Sequence, residues 1–113
     1  MSEERMVPKY ETPPVNTQYK YDIPIFKYNE TALLEELRHY LAATYGAHYA
    51  ADDKYQSFDG IVASGHGTGF CIGSILKYAG RYGRKEGHNR KDLLKIIHYA
   101  MLEMYLQDKE GKK

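Results

Sequence analysis

The chain has 113 residues, which fits one domain, and 42% of them are hydrophobic, which is enough for a core. It contains no run of about 18 apolar residues, so no membrane-spanning helix is expected. The N-terminal residues MSEERMVPKY also lack the apolar segment of a secretory signal. The single cysteine, Cys71, cannot form an internal disulfide, which favours a reducing cytoplasm.

The net charge of +1 conceals an uneven distribution of charge along the chain. Residues 1–65 carry 6 Lys/Arg against 10 Asp/Glu, whereas residues 66–95 carry 7 against 2. A local positive surplus attracts anions through a field that salt screens, although it is also typical of a solvated surface. Because the net charge of the whole chain is small, binding to nucleic acid is not expected.

The first 28 residues combine proline and tyrosine. Prolines at positions 8, 13, 14 and 24 disfavour a helix and favour extended chain. The sequence predicts an extended N-terminal arm over residues 1–28. Two alternatives stay open, an arm that docks on a neighbouring subunit and a disordered segment.

Helical patterns begin after this arm. A first helix is predicted from the N-cap residue Asn29 to about Tyr45. Further along, Phe58, Ile61 and Val62 have helical spacing, but a strand is also compatible with this short pattern.

Two more helices are predicted in the C-terminal half. The second covers about 69–82, with Thr68 as its N-cap. The third follows Asn89 and ends near Gln107, with Asp92 placed to bond back to the cap and to oppose the helix dipole. Apolar residues cover more than one face of this third helix, so we expect a homo-oligomer with the helix at its interface.

These elements predict an all-α fold. It is a small helical bundle of three main helices over residues 29–108, preceded by the arm and followed by a solvated tail at 109–113. No internal repeat is present.

The second predicted helix carries a cationic stripe. At 100° per residue, a serine and three cations share one narrow stripe, and a glycine-rich turn at 64–69 leaves free N–H groups at the helix N-terminus. We predict a phosphate site made of Gly67, Gly69, Ser74, Lys77, Arg81, Arg84 and Lys85, with Tyr78 as the base-stacking residue. The alternative is that the glycines only permit close helix packing and that the cations face water.

The sequence gives weaker indications of a metal site or of a catalytic carboxylate. The five histidines lack zinc-site spacing, so no resident metal site is predicted. Asp52, Asp53 and Asp59 are candidates to hold Mg²⁺ beside a nucleotide, with a solvated acidic loop as the alternative. Asp59 is the candidate catalytic residue, positioning a metal or a water. Cys71 lies in a first helical turn, where its pKa is expected to fall.

Two sequence blocks resemble a known family. The first, F-x-x-G-x-x-x-K-Y-x-x-R-x-G-x-K, starts at Phe70, and the second, D-L-x-K-x-x-x-Y, starts at Asp92. Together they make residues 69–104 similar to the SaV-like family of small bacteriophage proteins, which includes a nucleotide kinase of T7-type phages that lacks a Walker motif.

The resemblance implies a bacteriophage protein in the cytoplasm of the infected host. It implies a nucleotide as partner and, more specifically, nucleoside monophosphate kinase activity with ATP and Mg²⁺. The alternative is a non-enzymatic phage protein that sequesters a nucleotide signal or binds and inhibits a host protein.

Overall fold

The computed structural model describes residues 22–46 and 52–111, with side chains described from residue 57 onward in the second range. The chain divides into two compact units, Met1–Glu30 and Thr31–Lys113. In the described part of the first unit, the backbone N–H of Tyr28 donates to the Glu30 carboxylate at 2.8 Å. The predicted arm lies largely outside the described residues, since residues 1–21 are not among them.

The described residues form helices and no strands, which confirms the predicted all-α class. Its helices are α1 (Glu30–Thr44), α2 (Asp52–Ala63), α3 (Gly67–Arg81) and α4 (Arg90–Lys109). Helix α2 occupies the segment for which the sequence left helix and strand open, so the described residues form four helices. None of these helices combines the length and the apolar character needed to cross a bilayer.

The first residues of α3 and α4 can be compared with the predicted N-caps. Asn89 caps α4 as predicted, because its side chain accepts a hydrogen bond from the Lys91 N–H at 2.9 Å. Helix α3 begins two residues earlier than predicted, after His66, which makes no side-chain cap bond. The predicted cap at Thr68 is therefore wrong, and the Thr68 hydroxyl instead donates to Glu103 of α4 at 3.1 Å.

Helices α3 and α4 form an antiparallel hairpin. Thr68 meets Glu103 at one end of the pair and Arg81 meets Asp92 at the other. Between these ends, Tyr99 packs against α3. The two helices hold the core, in which Cys71 and Leu106 are the fully buried apolar side chains among the described residues.

Helices α1 and α2 lie on one side of this hairpin. Phe58 of α2 contacts Phe70 of α3, with ring centroids 6.0 Å apart. Helix α1 runs parallel to α4, since Glu36 binds Arg90 at 2.6 and 2.7 Å and Tyr40 meets His98 edge-on at 6.4 Å.

The turn between α2 and α3 leads directly into a tight contact. Gly67 is buried at the start of α3. A Cβ at this position would lie 2.9 Å from Leu106 Cδ1 and 3.1 Å from Val62 Cγ2. Glycine is thus favoured here because it lets α3 approach both neighbours closely.

Candidate functional site

The predicted phosphate site is divided between the two ends of α3. Gly67 and Gly69 lie in the first turn, whereas Arg81 ends the helix and Arg84 and Lys85 follow it. At a rise of 1.5 Å per residue, Gly67 and Arg81 are about 21 Å apart along the axis. One phosphate group therefore cannot contact both sets. Ser74 lies between them and is half-buried.

The N-terminal end of α3 already faces a carboxylate. Glu103 accepts the hydrogen bond from Thr68 in the first turn, and its other carboxylate oxygen is buried without a hydrogen-bond partner in the described structure. A negative charge at a helix N-terminus interacts favourably with the helix dipole and disfavours a second anion there. The close packing of Gly67 and the charge of Glu103 together explain the glycine-rich turn without a bound phosphate.

Arg81 is engaged within the chain. Its Nε lies 3.3 Å from Asp92 Oδ1, and its terminal nitrogen lies 3.6 Å from Glu86. The Arg81 side chain is 26% exposed and that of Asp92 only 2%. Arg81 is therefore not a free cation, and the expectation that Asp92 bonds back to its cap is wrong. Both follow from the hairpin, which brings the end of α3 against the start of α4.

Two lysines converge on one aromatic ring. The Nζ atoms of Lys77 in α3 and Lys95 in α4 lie 5.1 and 5.6 Å from the centre of the Tyr78 ring. The same ring stacks on Tyr99 at a centroid distance of 6.1 Å and an interplanar angle of 10°. Neither lysine has a carboxylate within 4 Å among the residues described. We name Lys77, Tyr78 and Lys95 the basic cluster.

Lys95 was missing from the site predicted by sequence. The signal that identifies it is the register of the helical hairpin, in which Arg81 pairs with Asp92. Tyr78 and Lys95 each lie three residues further from the loop than this pair and therefore face each other. Arg84 and Lys85 are exposed in the loop itself and hydrogen-bond through their backbone N–H groups to Arg81 O, at 2.9 and 3.1 Å.

Asp59 lies elsewhere, at a cavity of about 300 Å³ between α1, α2 and α4. The cavity walls are mainly aromatic and apolar, and the α4 part of the lining runs from His98 to Tyr105. Arg81 meets α4 at Asp92, about 10 to 20 Å along the helix from this lining. Asp59 thus lies apart from Arg81, and the described cavity lining contains no lysine or arginine.

His98 contributes a buried imidazole to the cavity wall. It is 9% exposed, and burial together with the positive charge of Lys95 lowers its pKa. A neutral imidazole has one hydrogen-bond donor and one acceptor, so His98 provides polarity without charge. The side chains described include no group of three or more His, Cys, Asp or Glu able to hold a metal ion. Those of Asp52 and Asp53 lie outside this description.

Cys71 is fully buried in α3. Burial, with a smaller contribution from the charge of Glu103, raises the pKa of its thiol. The expected fall in this pKa is wrong because the thiol loses solvent on burial, and because α3 begins at Gly67, which places Cys71 beyond the first helical turn. Cys71 is a core side chain and not a nucleophile.

The fold and the basic cluster define a small helical domain built on an antiparallel hairpin, with lysines gathered around an exposed part of its aromatic core. Residues 43–101 match the family described as a protein of unknown function (DUF3310), and the chain belongs to this family. No curated protein and no solved structure matches the chain. The matched residues include α2, α3, the basic cluster and the Arg81–Asp92 pair.

Proposed function

We propose that this protein binds a nucleotide at the basic cluster. Phosphate groups would contact Lys77 and Lys95, and the base or sugar would pack against the accessible part of Tyr78. The observation that carries the proposal is the convergence of two lysines, at 5.1 and 5.6 Å, on one ring, with no described carboxylate to neutralise them. Cations beside an aromatic ring provide charge for phosphate and a stacking surface for a base.

Charge near the cluster supports the same ligand. Arg84 and Lys85 add two exposed cations in the loop that follows α3, whereas Arg81 is already paired with Asp92. The resemblance of residues 69–104 to the SaV-like phage proteins supports a nucleotide as the anion and a role in the cytoplasm of an infected cell.

The position of Asp59 favours nucleotide binding without phosphoryl transfer. A nucleotide kinase that uses ATP and Mg²⁺ needs carboxylates close to the phosphates it transfers. Asp59 lines the cavity beside α1, and no residue of the basic cluster is in that lining. We therefore propose that the protein sequesters a nucleotide or presents it to a host protein. Kinase activity is the second candidate, supported by the family resemblance.

Calorimetric titration with nucleoside mono-, di- and triphosphates, with and without Mg²⁺, tests the proposal. Lys77→Ala and Lys95→Ala should each weaken binding by roughly ten-fold, since each removes one phosphate contact. Lys109→Ala is the matched control, because Lys109 is an exposed lysine at the far end of α4. Equal affinities for the wild type and all three variants would contradict the proposal.

A coupled assay separates binding from catalysis. The wild type is incubated with ATP, Mg²⁺ and each deoxynucleoside monophosphate, and ADP release is followed. Binding without ADP release supports sequestration. ADP release that Asp59→Asn abolishes would establish the kinase and refute the non-enzymatic proposal.

A further inference from the structure

The α3–α4 hairpin has a second side, opposite the side that α1 and α2 cover. Its large side chains are 40–67% exposed in the isolated chain. They are Ile72, Leu76, Leu93, Ile97 and Met104. We name this surface, with the small residues Ala79 and Ala100 between them, the open face.

The ring contacts fix which side this is. Phe70 of α3 points towards α2, and Leu76 lies about 120° around the helix from it. In α4, His98 points towards α1, and Met104 also lies about 120° from it. In an antiparallel pair, these two rotations lead to the same side of the hairpin. The open face is therefore continuous across both helices.

No charged residue lies between the large side chains of this surface, and Glu103, which accepts a hydrogen bond from Thr68, borders it at one end. The helical positions that form it are Thr68, Gly69, Ile72, Leu76, Ala79 and Gly80 in α3, and Leu93, Ile96, Ile97, Ala100, Met104 and Gln107 in α4. Charged residues make up 27% of the whole chain, so their absence here is a property of the face and not of the composition. The five large side chains expose about 500 Å², which is within the roughly 300–600 Å² of the largest apolar patch on a typical monomer, a size that often marks a functional surface.

We propose that the open face binds a second copy of this chain, so that two hairpins form a four-helix bundle around a two-fold axis. Such an interface places the same patch on both partners, and any charge near the axis would face its own copy. A charge-free face meets this condition. Homodimer interfaces are also more apolar than those with transient partners, whose polarity resembles that of the general surface.

Area and core size support this occupant. The roughly 500 Å² exposed by the five large side chains is more than half of the roughly 800 Å² per partner of a standard interface. Among the described apolar side chains, only Cys71 and Leu106 are fully buried, so the hairpin alone has a very small core. Burial of the open face would supply the apolar contacts that the single chain lacks.

Analytical ultracentrifugation of the full chain at about 100 μM tests the proposal without any substitution. The monomer mass is 13.1 kDa, so we expect a species of about 26 kDa. Leu76→Glu and Ile97→Glu should each raise the dissociation constant of the dimer at least ~100-fold, because each would bury a carboxylate beside its symmetry mate. Circular dichroism should show unchanged helix content for Leu76→Glu, since this side chain is already 67% exposed in the chain.

Leu34→Glu is the matched control. Leu34 is 58% exposed on α1, outside the open face, so this variant should stay dimeric. A wild-type mass of 13 kDa, or a dimer that survives Leu76→Glu and Ile97→Glu, would overturn the proposal. Because the lysines of the basic cluster lie on the other side of the hairpin, a monomeric Leu76→Glu variant should keep its nucleotide affinity. The two proposals can thus fail separately.

Discussion

Replacing Arg81 by alanine should destabilise the protein, because it leaves the Asp92 carboxylate buried without its cation. Asp92 is 1% exposed and its Oδ1 lies 3.3 Å from Arg81 Nε, while Oδ2 has no hydrogen-bond partner in the described structure. Removing one partner of a buried ion pair costs about 3–5 kcal/mol. Arg81 is 26% exposed, so solvent screens part of this loss and we expect about 2–3 kcal/mol.

Urea unfolding followed by circular dichroism measures this loss. Arg84→Ala is the control, since Arg84 is an exposed arginine one turn further on, and it should change the free energy of unfolding by less than about 0.5 kcal/mol. In the double variant Arg81→Met/Asp92→Leu both charges are absent, and we expect most of the stability to return. An unchanged urea midpoint for Arg81→Ala would refute the reasoning and would indicate that Arg81 is not held by Asp92.

Two further predictions follow from burial. Gly67→Ala should lower the free energy of unfolding by about 1–3 kcal/mol because the new Cβ meets Leu106 and Val62. Gly73→Ala, where a Cβ would lie in open space, should raise it by about 0.5–1 kcal/mol. Urea midpoints that move in the same direction for both variants would contradict this prediction. His98 has a lowered pKa in the folded state, so its contribution to stability is complete above the unfolded pKa of about 6.5 and is lost as the pH falls below it. His98→Phe should reduce the slope of stability against pH in that range, and an equal slope in both proteins would show that His98 does not titrate in this way.

Local signals predicted the helices well. Asn89 caps α4 as expected because a cap depends only on neighbouring backbone groups. The pattern around Phe58 left helix and strand open because three apolar positions are too few to distinguish the two periods. Helix α3 starts earlier than predicted, and its first residue, Gly67, packs against Leu106, a contact distant in sequence that local signals do not contain.

The candidate site was harder to predict because it depends on pairing between helices. The stripe on α3 placed Lys77 and Arg81 in one site. Only the hairpin shows that Asp92 pairs with Arg81 and not with Lys77. The hairpin also adds Lys95 to Tyr78 from the other helix. A single-helix projection contains neither fact.

The attachment of α1 has a consequence for access to the cavity. No Cα atom of α1 comes within 8 Å of a Cα atom in the other described helices, and side chains such as Glu36 and Tyr40 make the connection to α4. A helix held in this way opens at a lower free energy than the whole domain unfolds. Opening of α1 would expose His98 to solvent while the hairpin and its lysines keep their arrangement. Exchange of small molecules with the cavity is thereby independent of global folding.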